Sequence, residues 1–197
     1  MARQYEDTET RRRQVAEAAL QTIAEEGVSR FTTRAIAERV GISDGTLFRH
    51  FGSKEEIVLE AMSLLEAELE AGIPSTGDAM ADLEAFFRHR AGFVGGQSPV
   101  GHLIFSDGLV HLAGETGRSR MDGWRMRNLA FVVDRFVLLR EEGRVRADVD
   151  LPSLGLLFQG ALLTFAMQAS LGQSGSIPEL EARIDQVWTG LHTLITP

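Results

Sequence analysis

Along almost the whole sequence, apolar residues recur at helical spacing and glycines close the runs, a pattern that points to a helical bundle. Ala16, Ala19, Leu20 and Ile23 keep the i, i+3, i+4, i+7 spacing of one buried face over residues 9 to 26, and Gly27 stands where a helix ends. Alternation of the strand type is lacking. A second helix starts at Thr32 or Thr33, buries Ile36, Ala37 and Val40, and stops at Gly41. A third has Ser43 as its N-cap, Leu47 and Phe51 on one face, and Gly52 as its stop. Ser53 and Glu56 form a capping box for a fourth, whose stripe of Ile57, Ala61, Leu64, Leu65 and Leu69 ends at Gly72 before Pro74.

Beyond the linker read at Gly72 to Asp78, Leu83, Phe86, Phe87 and Val94 mark a fifth helix stopped by Gly95 and Gly96. Ser98 and Pro99 start a sixth that ends near Gly114. The seventh is long, from about residue 116 to Glu142, with Trp124, Asn128, Phe131, Arg135 and Leu138 on one face. The eighth occupies an uncharged run between Asp150 and Glu179, and the ninth spans Pro178 to Thr193. The uncharged run could be mistaken for a membrane span. Gln159, Gln168 and Gln173 interrupt it and its flanks are acidic, so a buried helix of a soluble protein is the expected reading. The amino terminus, MARQYEDTETRRR, carries charges where a signal peptide needs an apolar run, and the chain of 197 residues has no cysteine. A reducing, cytoplasmic setting without disulfides, thiol nucleophiles or zinc thiolates fits both observations.

The second and third helices are joined by the glycine-started turn GIS, as in a helix-turn-helix, where the second helix of the pair enters the major groove and the first crosses the backbone. Charge agrees. The chain carries a formal −8, yet residues 30 to 54 hold five basic side chains (Arg30, Arg34, Arg39, Arg49, Lys54) against Glu38 and Asp44. Asp44, Gly45, Thr46, Phe48, Arg49 and His50 are the exposed positions of the third helix. Lys54, the only lysine in the chain, sits in the first turn of the fourth helix, where the dipole already attracts an anion and a lysine makes a phosphate clamp.

The stretch AALQTIAEEGVSRFTTRAIAERVGISDGTLFRHFGSKEEIVLEAM resembles the DNA-binding domain of the TetR (tetracycline repressor) family of bacterial regulators, in the family's order and spacing. The resemblance implies an all-α protein, with a DNA-binding domain over 1–52 and a helical ligand-binding and dimerisation domain over 53–197. It implies a ligand-responsive repressor that binds a double-stranded palindromic operator. Phosphate contacts fall on Thr33, His50 and Lys54, and base-reading positions on Arg34, Ser43, Gly45, Thr46 and Arg49. Phe48 departs from the family's usual tyrosine and cannot donate a hydrogen bond to phosphate, although packing on a sugar or a thymine methyl stays open to it.

A homodimer through the eighth and ninth helices is also implied, over Leu157, Gly160, Ala161, Thr164, Val187 and Leu191. Met62, Phe87, Phe105, Trp124, Asn128, Phe131, Phe158, Phe165 and Met167 are candidates for lining a pocket for a small apolar or aromatic effector, with Asn128 as the polar group that orients it. Two alternatives stand beside this reading. The middle of the chain also resembles the nucleoid-occlusion branch of these regulators, whose DNA binding tunes a protein partner. An enzyme or metal site at His102, Asp107 and His111 is disfavoured, because nine residues place the two histidines on opposite sides of one helix; Asp107 and His111 are expected to form a hydrogen-bonded pair. No cofactor and no metal are expected.

Overall fold

The computed structural model describes residues 8–71 and 75–197. The MARQYED leader and the Gly72 to Pro74 part of the expected linker lie outside the described residues. The described residues are helical throughout, with no strand: α1 (Thr8–Glu26), α2 (Thr33–Val40), α3 (Asp44–His50), α4 (Lys54–Glu70), α5 (Ala79–Gly92), α6 (Asp107–Leu112), α7 (Gly114–Glu141), α8 (Leu151–Ser170) and α9 (Ile177–Ile195). They form two compact units. One runs to Glu68 and adds Ser106–Arg120; the other comprises Leu69–Phe105 and Met121–Pro197. The first unit therefore reaches well beyond the 1–52 span expected from the motif, since α4, α6 and the start of α7 join it.

In the first unit, Val15, Ala16 and Ala19 of α1, Ile36 of α2, Leu47 of α3 and Ile57 of α4 are fully buried. Ends matter as much as faces here. Thr32 caps α2 by accepting from Ala35 N (3.1 Å), and Ser43 caps α3 by accepting from Thr46 N (3.1 Å). Gly41 takes φ 77° at the end of α2, a left-handed turn that a β-carbon would strain. The fourth helix opens as expected in one direction only: Ser53 Oγ accepts from Glu56 N (3.1 Å), but the Glu56 carboxylate accepts from Gly52 N (2.7 Å), one residue earlier than a capping box requires.

Arg12 joins three of these elements. Its guanidinium donates to the backbone carbonyl of His50, to Glu56 (2.8 Å) and to Glu60 (2.7 Å), and lies over the Phe51 ring at 4.3 Å. Arg120 makes a two-pronged pair with Glu66 (both 2.9 Å), fixing the start of α7 on α4.

In the second unit, Phe87, Phe136 and Phe158 are buried and pack edge to face, Phe87 and Phe158 at 5.1 Å between centroids. The expected sixth helix is broken. A π-helical turn over Phe93–Gln97 is kinked at Gly96 (φ 132°), a 3-10 turn covers Gly101–Phe105, and Ser106 is extended before α6 begins. The cause lies at Gly101, where a β-carbon would fall 2.2 Å from the Phe93 carbonyl oxygen; the chain folds back on itself too tightly for a continuous helix.

The eighth helix also departs from expectation. It is long and apolar enough to cross a membrane by length and composition, yet it is not a fully buried core helix either. Leu154, Phe158, Leu162 and Phe165 face inward, while Leu156, Leu157, Leu163 and Met167 are 42–66% exposed. Close packing within the chain occurs at Gly155, where a β-carbon would meet Leu129 at 2.9 Å, and not at Gly160, around which there is open space.

Replacing Arg12 by Ala removes three charge-assisted contacts at a part-buried site and is expected to cost about 1–3 kcal/mol in denaturant unfolding. The same change to Arg13, whose exposed pair with Glu17 lies within one helix, is expected to leave the unfolding midpoint nearly unchanged.

Candidate DNA interface and effector cavity

The exposed surface of α2 and α3 is built from short polar side chains held by each other. Ser43 and Thr46 hydroxyls lie 3.0 Å apart, and Arg49 Nη2 donates to Thr46 Oγ1 (3.1 Å), so the row Ser43, Thr46, Arg49 lies along one face of α3. Gly45 is exposed with no side chain within 3.9 Å of where a β-carbon would sit. Phe48 is half-exposed and Thr33 and His50 are partly so. The Nδ1 of His50 is buried without a partner, so Nε2 is the nitrogen left to meet solvent or a backbone. Lys54 is exposed and its ammonium stands 4.7 Å from the Phe31 ring centre, a cation–π contact that restrains a flexible side chain.

Not every basic residue of this segment is available. Arg39 is tied to Glu25 (2.8 Å) and Glu26 (2.9 Å) on α1, and so supports the fold. Arg34 pairs with Glu38 (3.0 Å) on its own helix, an exposed pair that holds the guanidinium above its ordinary pKa and that a phosphate or base can displace at small cost. Arg30, Arg49 and Lys54 make no ion pair with any described residue.

The second unit contains a cavity of about 470 Å³ between α5, α7 and α8. Of the candidates, Phe105, Trp124 and Asn128 line it, together with Phe86, Val132 and Leu162. The other candidates lie elsewhere. Met62 is buried in the first unit, Phe87 and Phe158 form the aromatic core, Phe131 stacks on Phe86 (4.9 Å), Met167 is exposed, and Phe165 borders a separate groove of α8 and α9. Asn128 is already engaged: its Nδ2 donates to the Trp124 carbonyl (2.7 Å) and its Oδ1 accepts from Arg90 Nη2 (3.0 Å).

Arg90 is the residue that sequence reasoning missed. It is 4% exposed, lines the cavity, and stands over the rings of Phe86 (4.9 Å) and Trp124 (5.3 Å). Burial pushes its pKa down to about 10, only partly offset by the charge of Glu70. The signal was present in the register, because Arg90 falls at i+7 from Leu83 and i+4 from Phe86, on the apolar stripe of α5.

The dimer candidates lie on the open side of α8 and α9: Leu157, Gly160 and Thr164 are exposed, and Ala161, Val187 and Leu191 half-buried. The triad His102, Asp107 and His111 does not assemble. His102 belongs to the second unit, Asp107 and His111 to the first, and the exposed Asp107 and His111 make no hydrogen bond to each other. No cluster suited to a metal ion occurs among the described residues.

A capped seven-residue helix presenting arginine and short polar side chains beside a lysine at the next helix start defines a helix-turn-helix DNA-binding regulator. The sequence pattern of the bacterial regulatory proteins of the tetR family matches residues 15–61. The transcriptional repressor KstR2 of Mycobacterium tuberculosis is 31% identical over 153 residues, spanning 72% of both chains, and the solved structure of this ketosteroid transcriptional regulator superposes with a TM-score of 0.75 at 25% identity over 95% of each. The chain belongs to the TetR family. The nucleoid occlusion factor SlmA of a Marinomonas species is 30% identical over 115 residues, 56% of this chain and 57% of that one. A TetR regulator of Chloroflexus aurantiacus shares the fold at a TM-score of 0.72, 20% identity and 94% coverage of both chains.

Changing Lys54 to Ala is expected to weaken binding to all DNA sequences and to lower the salt slope by about 1 per subunit, whereas Arg49 to Ala relaxes sequence preference at a cost of about 1–3 kcal/mol per site. Phe48 to Tyr supplies a phosphate donor and is expected to tighten binding evenly across sequences. Affinity titrations at several salt concentrations on a fixed and a scrambled duplex separate these effects.

Proposed function

We infer that the protein is a homodimeric repressor that binds a palindromic operator and releases it when a small effector fills the cavity of the second unit. The observation that carries the effector role is the cavity itself: about 470 Å³, walled mainly by aromatic and aliphatic side chains, in the size range of small-molecule sites. It favours an effector with an apolar body over control by a protein partner alone.

Dimerisation is supported by the uncharged α8, whose outward row of Leu157, Gly160 and Thr164 has no cover in a single chain. An operator with two half-sites requires two copies of α3, and the residues assigned to it are Thr33, Arg34, Ser43, Gly45, Thr46, Phe48, Arg49, His50 and Lys54. The cytoplasm, where DNA is accessible, is the expected place of action.

The route of response is α7. Trp124 and Asn128 of this helix line the cavity, and one turn earlier Arg120 grips Glu66 of α4, the helix that carries Lys54 at its start. An effector that shifts α7 therefore works on the element that holds the phosphate clamp. It changes operator affinity only by its preference for one of the two arrangements.

Selection of bound duplexes from a random pool at two salt concentrations is expected to recover a two-fold symmetric site, with affinity falling steeply as salt rises. Failure to enrich any symmetric sequence would remove the repressor reading. Leu157 to Glu, a charge on the outward face of α8, is expected to yield a folded monomer by light scattering with at least a tenfold loss of operator affinity; an unchanged dimer would move the interface elsewhere.

A further inference from the structure

Arg90 poses a problem that the protein does not solve by itself. Of its nitrogens only Nη2 has a hydrogen-bond acceptor, Asn128 Oδ1; Nε and Nη1 are buried with none among the described residues, and neither has Trp124 Nε1 beside them. Three orphaned donors on two cavity-lining side chains, one of them charged, are rare in a folded interior, where buried polar groups are almost always satisfied. The aromatic faces of Phe86 and Trp124 soften the cost of the cation but accept no conventional hydrogen bond. No carboxylate of the described residues forms an ion pair with Arg90, and the charge of Glu70 offsets its burial only in part. Arg135, half-buried in the same unit, also has an Nε without a hydrogen-bond acceptor among the described residues, but it lies 3.6 Å from the Asp82 carboxylate, which Arg90 has no equivalent of.

A water molecule entering the cavity would satisfy a donor and leave the charge uncompensated. An alcohol or ketone would do the same. Only an anion answers both demands, and most of the remaining wall, Val94, Phe105, Val132 and Leu162 among it, is apolar; Gln159 and Arg125 are the polar exceptions, and Arg125 is half-exposed and lies 3.6 Å from Asp122. We propose that the effector is an organic acid with an apolar body, its carboxylate accepting from Arg90 and its chain or ring system lying between α7 and α8. Asn128 is then a positioning residue: with its carbonyl on Nη2 and its amide on the Trp124 backbone, it turns the guanidinium so that Nε and Nη1 remain for the acid. This deepens the regulator reading above and rests on it for the word effector, but the binding chemistry is separately testable.

The test uses matched probes on the full-length protein: decanoate against 1-decanol, and 2-naphthylacetate against 2-naphthaleneethanol, by isothermal titration at pH 7.5. At least one acid is expected to bind tenfold or more tightly than its alcohol. Arg90 to Met, close in length and apolar, is expected to bring the acid-to-alcohol ratio to within about twofold of one. Thermal unfolding of that variant without ligand is expected at the same or a higher temperature than the wild type, since an uncompensated buried charge has gone. Equal binding of acid and alcohol by the wild type overturns the proposal, as does a preference for acid that survives in Arg90 to Met, or no acid binding at about 1 mM. The wild-type comparison stands even if the variant fails to fold. Acid binding through Arg90 that leaves operator affinity unchanged would uphold the acid site and remove the effector role instead.

Discussion

A helix of seven residues is not stable in water by itself, because nucleation costs more than so few hydrogen bonds return. The DNA-reading surface depends on such a helix, and much of the first unit is explained by what it takes to hold α3 still. Leu47 anchors its inner face at zero exposure, Ser43 satisfies an amide at its start, and Arg12 takes the carbonyl of His50 at its end. Arg12 also spans Glu56 and Glu60, so the end of the recognition helix and the start of the helix bearing Lys54 are set by one guanidinium. The outer face of α3 is thereby free to be chosen for contacts alone. That is how a helix can carry Gly45, a poor helix former, in its first turn on the face proposed to enter the groove.

The second unit meets the opposite difficulty, an excess of apolar surface. An uncharged helix such as α8 must be covered on two sides. One side is covered by the aromatic core through Phe158 and by the close approach of α7 at Gly155. The other exposes Leu157 and Met167, an arrangement that a single chain does not favour in water and a second copy resolves. Into the same unit the protein places Arg90, whose burial is unfavourable because no described carboxylate pairs with it and the charge of Glu70 offsets it only in part. Both features lower the stability of the lone, empty subunit, and both are relieved by association, of a subunit in one case and of an acid in the other.

The fold class was legible because apolar spacing and stop signals agree along most of the chain, with Gly27, Gly41 and Gly52 closing the first three helices. The sixth helix was misread because Ser98 and Pro99 resemble a helix start, whereas the chain there is governed by the approach of Gly101 to the Phe93 carbonyl, a contact eight residues apart that periodicity does not register. The helix-turn-helix residues were legible as a linear motif. The cavity was not, since a core aromatic and a lining aromatic have the same spacing; Phe87 and Phe86 are neighbours in sequence, one in the core and one on the cavity wall. Arg90 was legible and overlooked: an arginine on an apolar stripe carries more information than the phenylalanines around it.

The acidic balance of the chain fits a DNA-binding role once the arginines are sorted by what they hold. Arg12 and Arg39 are committed to carboxylates within the first unit, and Arg120 to Glu66, so their charges are largely neutralised where they stand. Arg30, Arg49 and Lys54 are not, and Arg34 is held only by an exposed pair whose partner gives little. With screening over about 8 Å at physiological salt, DNA at the α3 surface senses this local cluster far more than the formal −8 of the whole chain. At greater distance, and on every other face, the acidic excess opposes contact with a polyanion. Weak non-specific binding away from the motif follows from the same charges that make the motif adhesive, which leaves a larger share of the affinity to contacts that read sequence.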